Sequence, residues 1–532
     1  MARAQGVESI PAAVRGAAER FGEIEALVDG PVRLTFGQLA ERVREVARMF
    51  VAVGVRPGDR VALNSPNTHH WVLAALGASY AGATLIPVNT RFTGVESAEL
   101  LHRSKARALV VADEFLGVDR LAGIHEAAGD GPGEVVAGLP ELRAVLRVPV
   151  GTATPAGPGV HDWDEIADLA AKVPESEVER RADAVTADDL ADVLFTSGTT
   201  GRAKGVMSLH RQSLGVAAAW AECGAVRKGD RYLLVNPFSH SFGYKAGILV
   251  CLLTGSTMLP QAVFDAASTL DVIDTERISI LAAAPTIFQT LLHAPERGGR
   301  ELPGLRLAVT GAATVPVALV ERMRSDLGFD TVLTAYGLTE AVVATMCRPG
   351  DDAETVAHTC GRAAAGFEVA VVDADGRDMP PGQAGEVVLR GPNVMRGYLD
   401  DPGATAHAVD TDGRLHTGDI GVLDERGYLR ITDRLKDMYV CGGFNVYPAE
   451  VEQALAYLDG VRDVAVIGVP HERLGEVGKA YVVGDAALTE EAVLAFCKQR
   501  LANFKLPRSV EFVGELPRNA SGKILKRVLA ER

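Results

Sequence analysis

Apolar runs such as "RVALN" from Arg60, "TLIPV" from Thr84 and "RALVVA" from Arg107 alternate with stretches of helical period, "HWVLAALGASYAGA" from His70 and "GVESAELLHRSKA" from Gly94. The same strand signal returns at "ADVLFTS", "RYLLVNPF", "ISILAAAP", "LRLAVTGAA" and "TVLTAYG", each run ending in Gly, Pro or hydroxyl residues. Strands alternating with helices predict βαβ units and a mainly parallel sheet, whose strand ends are the usual place for ligand loops. From Gly385 the pattern shortens to "GEVVLRG" and "GYLRITDRLKD", which predicts a smaller β-rich subdomain over about 350–434. After about Asp437 comes a compact α+β tail, with helices around "PAEVEQALAYL" and "TEEAVLAFCKQRLA" and strands at "VRDVAVIGVP", "AYVVG" and "SVEFVGELP". The fold class expected is α/β: a large N-terminal domain of mainly parallel sheets with helices plus the β-rich subdomain, then a small α+β C-terminal domain. No internal repeat is visible, and the Gly-, Pro- and Ala-rich stretch 128–160 reads as a surface excursion.

Length and charge narrow the partners. At 532 residues the chain exceeds what one hydrophobic core serves, so two or more domains are expected. Hydrophobic content of 47% and charged content of 23% are those of a soluble globular protein. A formal charge of −15 argues against nucleic acid or an anionic membrane surface as the main partner, so a polyanionic ligand must be met by local cations and backbone amides. Cys223, Cys251, Cys347, Cys360, Cys441 and Cys497 show no metal-ligand spacing and read as reduced thiols, mostly in the core. The N-terminal stretch has no apolar signal region and no run approaches the ~18 apolar residues of a membrane span, so a cytoplasmic location is the expectation.

The densest chemistry lies in "FTSGTTGRAKG", Phe195 to Gly205, directly after a strand-like run. Its hydroxyls at Ser197, Thr199 and Thr200, its turn glycines Gly198 and Gly201 and the cation Lys204 suit phosphate oxygens, which need several convergent donors. The spacing does not fit a Walker A loop, and a plain glycine-rich turn stays open on this segment alone. Downstream stand "AYGLTEA" (Ala335–Ala341), "HTGDIG" (His416–Gly421), "ITDRLKDMYVCGGFNVYPAEVE" (Ile431–Glu452) and "LPRNASGKILKR" (Leu516–Arg527).

In this order the motifs resemble those of the adenylate-forming enzymes, the superfamily of acyl-CoA synthetases, peptide-synthetase adenylation domains and beetle luciferases. The resemblance spans the whole chain. It implies that Thr196 to Lys204, with Ser197, Gly198, Thr199, Thr200 and Gly201, is a mobile loop gripping the β- and γ-phosphates of ATP, with Thr196 among the catalytic residues. Ala203 replaces the usual proline there, which predicts a somewhat more flexible loop. By the same resemblance Glu340 holds Mg2+, Thr339 contacts ATP, and Gly311, Ala312, Ala313, Ala335, Tyr336 and Gly337 frame the adenine. Asp419 and Arg434 meet the ribose, His240 borders the substrate carboxylate, and Lys523 bridges that carboxylate and the α-phosphate. Read without the resemblance, Glu340 is a solvated carboxylate, Asp419 a residue of a common Gly-Asp turn, His240 a satisfied core histidine and Lys523 a solvated terminal cation.

The implied reaction has two halves: a carboxylate and ATP give acyl-AMP and pyrophosphate, then a thiol displaces AMP. The family's small C-terminal domain is mobile, which implies domain 1–434, a hinge at 435–438 pivoting on Lys436, and a C-terminal domain 439–532 that offers Gly442 and Gly443 to the pantetheine arm of coenzyme A. Longer strings, among them "FGYKAGIL" and "VTGAATVPV", are similar to those of actinobacterial CoA ligases of steroid catabolism, a branch of lipid metabolism, which activate a propanoate on a hexahydroindanedione. The small residues Gly243, Ala283, Ala284 and Gly311 agree with a roomy pocket for such a bicyclic acid. A fatty- or aryl-acid CoA ligase, an enzyme loading a separate carrier protein, luciferase-type oxidation and a non-catalytic nucleotide-binding scaffold are the alternatives; a homodimer is left open.

Overall fold

The computed structural model describes residues 7–129, 135–136, 138–151, 159–196, 203–311, 315–434, 437–441, 444–446, 448–471, 473–501, 503–518 and 524–531, without the side chains at 433, 434, 440, 444 and 445. The chain divides into two compact units, residues 1–368 with 390–413, and residues 369–389 with 414–532.

The first unit holds the alternation read from the sequence, folded into two sheets. Strands Thr331–Leu338, Leu307–Gly311, Ile280–Ala282, Arg231–Leu234, Thr257–Pro260 and Glu25–Asp29 lie side by side in that order, all parallel. Strands Leu190–Thr196, Thr84–Pro87, Arg60–Asn64, Ala106–Ala112, Ala144–Val148 and Val160–Asp162 form the parallel part of the second sheet. Antiparallel strands extend the edges: Val32–Thr35, Ala341–Met346 and Arg362–Ala363 on the first sheet, Lys204–Leu209 and Gly397–Tyr398 on the second.

Helices His69–Tyr80 and His210–Cys223 are buried on nearly every side, as expected of helices with no polar face. The first packs on strands Glu25–Asp29, Arg60–Asn64 and Thr84–Pro87, the second on Ala341–Met346, Leu190–Thr196 and Lys204–Leu209. Each helix therefore touches both sheets, which places the core of this unit between them.

The second unit carries a four-stranded sheet, Glu368–Val372, Ala384–Arg390, Leu415–Leu423 and Leu429–Arg434, its last three strands antiparallel neighbours. It also carries a sheet built on the long antiparallel pair Val461–His471 and Gly475–Gly484, with Pro507–Phe512 added in parallel. Helices Pro448–Leu455 and Glu490–Lys498 cover a core of Val451, Leu455, Val466, Val482 and Val493.

The reading of 128–160 as a surface excursion is corrected. Ala144–Val148 is an interior strand beside Ala106–Ala112, and Val136, Leu139 and Leu142 are buried. Gly and Pro concentrated around this strand hid a five-residue segment, four of its residues apolar and the fifth Arg147, that is buried throughout. Cys223, Cys251, Cys347, Cys441 and Cys497 are buried, as expected of core thiols. Among the described residues no helix is long and apolar enough to cross a membrane.

One buried contact ties the N-terminal helix Ile10–Phe21 to the core. The Ile10 amide donates to Nδ1 of buried His210 across 3.2 Å. An accepting nitrogen carries no proton, and burial lowers the imidazole pKa to about 4. An unfolded histidine takes up a proton near pH 6.5. This stabilisation is therefore intact above pH 6.5 and is lost as the pH falls from there towards 4. Urea melts from pH 7 to 4.5 should show His210→Asn, which keeps an acceptor without a titration, losing stability less steeply than the parent by up to about 1.4 kcal/mol per pH unit. Equal slopes would contradict the assignment.

Candidate active site

The loop that drew attention in the sequence joins an antiparallel hairpin. Strands Leu190–Thr196 and Lys204–Leu209 pair from Leu190↔Leu209 to Thr196↔Lys204. Ser197, Gly198, Thr199, Thr200 and Gly201 lie outside the described residues. At the mouth of the hairpin the Thr196 hydroxyl donates to the Lys204 carbonyl at 3.4 Å. The residue expected to loosen the loop is anchored at its carbonyl: Arg103 Nη1, from helix Gly94–Ser104, donates to Ala203 O at 2.6 Å. The same guanidinium lies 5.4 Å from the centre of the Phe195 ring.

On the other sheet, Thr339 and Glu340 form the tip of a tight hairpin, since Leu338 pairs with Ala341. Val343, in the returning strand, has φ +58°, a conformation that costs a β-branched residue roughly 1–3 kcal/mol. Its amide nitrogen would lie 2.6 Å from a Cβ at Gly337, so only glycine fits opposite this bulge. Gly311 pairs with Ala335, whose carbonyl would meet a Gly311 Cβ at 2.8 Å. The residues expected to frame adenine, Gly311, Ala335, Tyr336 and Gly337, thus stand on two adjacent strand ends, and Ala312 and Ala313 lie outside the described residues.

Segment Val394–Leu399 joins the two hairpins. The Met395 amide donates to Glu340 O at 2.7 Å, and Ala341 bridges Val394. Tyr398 pairs with Val206, and the Leu399 amide donates to Gly205 O at 2.7 Å. The Gln212 side chain donates to the Val394 carbonyl. The Tyr398 hydroxyl donates to Glu340 Oε1 at 2.8 Å, while its ring centre lies 4.9 Å from Lys204 Nζ. Burial first, then the Glu340 carboxylate, raise the phenol pKa well above its ordinary value, so Tyr398 stays a donor.

A carboxylate and an ammonium are thereby gathered from different sheets, a donor set suited to phosphates and a divalent cation. Magnesium is commonly held by one or two carboxylates plus phosphate oxygens. Among the described residues no group of three or more His, Cys, Asp or Glu could hold a metal by itself, so an ion at Glu340 would need oxygens from a ligand.

His240 opens the turn Ser241–Gly243 and accepts from the Phe242 amide through Nδ1 at 3.1 Å. Its side chain is exposed, and desolvation lowers its pKa. With Nδ1 accepting, the neutral ring carries its proton on Nε2. Asn67, buried, fixes this segment: Nδ2 donates to Asn236 O at 2.8 Å and Oδ1 accepts from the Phe238 amide at 2.9 Å. The smallness of Gly243 has another cause than pocket volume, since a Cβ there would lie 2.6 Å from Asn236 O. Gly243 and Gly311 are backbone-packing glycines, which corrects their reading as pocket room.

The His240 segment is tied to the hairpin of Leu190–Thr196 and Lys204–Leu209 by buried charge. Lys245, in the turn Tyr244–Ile248, lies 2.9 Å from Asp192 Oδ1 and donates to Ser208 Oγ at 2.7 Å. Ser213 of helix His210–Cys223 donates to Asp192 Oδ2 at 2.6 Å.

Asp419 belongs to the second unit. It is buried in strand Leu415–Leu423, its register partner is Arg434, and its amide donates to Thr417 Oγ1 at 3.1 Å. Glu386 steadies the turn before it, accepting from the Gly418 amide at 3.1 Å and lying 2.9 Å from His416 Nδ1. Lys436, Gly442, Gly443 and Lys523 lie outside the described residues, as does the side chain of Arg434. Tyr398, Arg103, Asn67 and the Asp192–Lys245 pair were missed in the sequence.

The AMP-binding enzyme family matches residues 14–399, and the AMP-binding enzyme C-terminal domain matches residues 450–523. The chain belongs to the AMP-binding enzyme family. It is 57% identical over 98% of its length, and 98% of the relative's, to a 7a-methyl-1,5-dioxo-octahydro-1H-inden-4-yl-propanoyl:CoA ligase of Rhodococcus jostii (strain RHA1). To the ligase of the same name from Mycobacterium tuberculosis (strain ATCC 25618 / H37Rv) it is 53% identical over 99% of each chain. The crystal structure of ATP-bound MatB from Rhodopseudomonas palustris superposes with a TM-score of 0.84 at 30% identity, over 98% of each chain.

Asp192 and Lys245 are 0% and 1% exposed, so neither charge has water to turn to. Lys245→Met should cost about 3–5 kcal/mol in chemical denaturation by stranding a buried carboxylate, and Lys245→Met with Asp192→Asn should recover most of that loss. A double variant as unstable as the single one would show that the pair is not what holds these elements.

Proposed function

We propose that the chain is an AMP-forming acyl-CoA ligase whose acid is the bicyclic indane-type propanoate for which its two near-full-length relatives are named. The observation that carries this reading is 57% and 53% identity spread over 98% and 99% of the chain, through both matched domains. The neighbouring ATP-bound structure supports ATP as the activating substrate.

In this reading Lys204 and the loop residues Ser197, Gly198, Thr199, Thr200 and Gly201 hold the β- and γ-phosphates. Glu340 would hold Mg2+, which supplies charge neutralisation on those phosphates. Gly311, Ala312, Ala313, Ala335, Tyr336 and Gly337 frame the adenine, with Thr339 beside them, and Asp419 and Arg434 take the ribose hydroxyls. A carboxylate accepts from two hydroxyls through its two oxygens, which suits a buried Asp419.

A carboxylate oxygen of the acid forms a bond to the α-phosphorus as the bond to pyrophosphate breaks. Both partners are anions, so the step needs a cation between them, and Lys523 serves that role. His240, neutral with a proton on Nε2, can donate to the acid carboxylate without a charge that would hold the ground state too tightly. The thiolate of coenzyme A then attacks the acyl carbon and AMP leaves, a far better leaving group than oxide. We include in the proposal that residues 435–438 are the hinge between the two half-reactions, with Lys436 its pivot, that Gly442 and Gly443 border the path of coenzyme A, and that the enzyme works in the cytoplasm, where ATP and coenzyme A are supplied.

Incubation with Mg-ATP, coenzyme A and a panel of acids, read by mass spectrometry, tests the reading. The bicyclic propanoate should be converted to its CoA thioester at kcat/KM at least ~100-fold above long-chain fatty acids and cinnamates, about 3 kcal/mol of transition-state discrimination. Preference for a fatty or aryl acid would discard the substrate and keep the reaction. Adenylate without any CoA thioester would point to a carrier-protein acceptor.

A further inference from the structure

Glu340 and Lys204 stand on the edges of different sheets, yet their separation must suit a single phosphate chain. Two flexible side chains, one with three rotatable bonds and one with four, do not hold a fixed distance by themselves. Tyr398 is the residue that touches both. It is 8% exposed, and its backbone is fixed by pairing with Val206 and by donation from its own amide to Thr405 Oγ1 at 2.9 Å. Its hydroxyl reaches Glu340 Oε1 and its ring lies beside Lys204 Nζ. Among the described residues Tyr398 is the one side chain that donates to the Glu340 carboxylate.

We propose that Tyr398 is a positioning residue for the nucleotide: its hydroxyl aims the Glu340 carboxylate at the magnesium of Mg-ATP and its ring sets the Lys204 ammonium against the phosphates. The proposal rests on the functional reading above and adds a residue to it. The two halves of the side chain act on different ligands. The hydroxyl works through Glu340, so its loss is felt through the metal. The ring works through Lys204 by attraction of the cation to its face, so its loss is felt by ATP with or without metal. Ordering of this kind around a metal-associated carboxylate is worth about 10–100-fold in metal affinity.

The test uses the full-length enzyme. Tyr398→Phe keeps the ring and deletes only the hydroxyl; Tyr398→Leu deletes both. ATP affinity is measured by calorimetry in EDTA and at rising Mg2+, alongside the Mg2+ requirement of acid-dependent pyrophosphate exchange. Tyr398→Phe should melt within about 2 °C of the parent, bind Mg-free ATP within about 2-fold, and need about 10–100-fold more Mg2+ for half-maximal ATP binding and exchange. Tyr398→Leu should in addition bind Mg-free ATP about 5-fold more weakly. An unchanged Mg2+ requirement in Tyr398→Phe, or a loss equal with and without Mg2+, would overturn the proposal. Should Tyr398→Phe not fold, Glu340→Asp, which withdraws the carboxylate from the tyrosine, must reproduce the raised Mg2+ requirement, and failure to do so overturns the proposal equally. A parent enzyme that neither binds ATP nor exchanges pyrophosphate would instead sink the functional reading, an outcome distinct from a normal parent with an indifferent Tyr398→Phe.

Discussion

The ion pair between Asp192 and Lys245, sealed from water, organises the larger unit around its site. Asp192 belongs to strand Leu190–Thr196, Ser208 to strand Lys204–Leu209, Ser213 to the helix between the sheets and Lys245 to the turn that follows His240. Burying one charge without the other is far more costly than burying both, which couples these four segments in the folded protein. The polar network also has a direction that an apolar core lacks, because each donor requires its acceptor. The hairpin that carries Lys204 and the turn that follows His240 are thereby held in register.

The site makes use of that frame at strand ends. Six parallel strands of each sheet bring their loops to one edge, and the antiparallel additions carry the charged groups: Lys204 on one sheet, Glu340 on the other. Segment Val394–Leu399 pairs with both edges and supplies Tyr398 to both charges. Val343 in its left-handed conformation and Gly337 opposite it show that the Glu340 tip is held at some backbone cost, as is common where geometry serves a ligand. The Asp419 turn is built separately, in the four-stranded sheet of the second unit, from Glu386, His416 and Thr417.

Much of this was legible in the sequence, for physical reasons that differ from part to part. The strand runs ending in Gly, Pro and hydroxyl residues announced parallel sheets, because buried parallel strands need continuous apolar runs and their loops need turn residues. The stretch Phe195–Gly205 stood out because hydroxyls, glycines and a cation are contiguous there, and its inner residues lie outside the described structure. Ala144–Val148 was lost among neighbouring Gly and Pro, and Gly243 and Gly311 were read as pocket space when backbone carbonyls require them. Tyr398, Arg103 and Asn67 could not be found by pattern, because each acts on a partner 58 to 171 residues away. Such contacts are set by topology, and a short sequence window carries no trace of them.

In the proposed reaction the acid is activated as an acyl-adenylate and handed to coenzyme A by this chain. Its most direct test is the fate of a carboxylate oxygen. With an acid labelled in its carboxylate by the heavy isotope of oxygen, Mg-ATP and coenzyme A, attack on the α-phosphorus followed by thiolysis leaves one heavy oxygen in AMP and none in pyrophosphate. Heavy oxygen in inorganic phosphate, with ADP as the nucleotide product, would mean an acyl-phosphate route and would contradict the account.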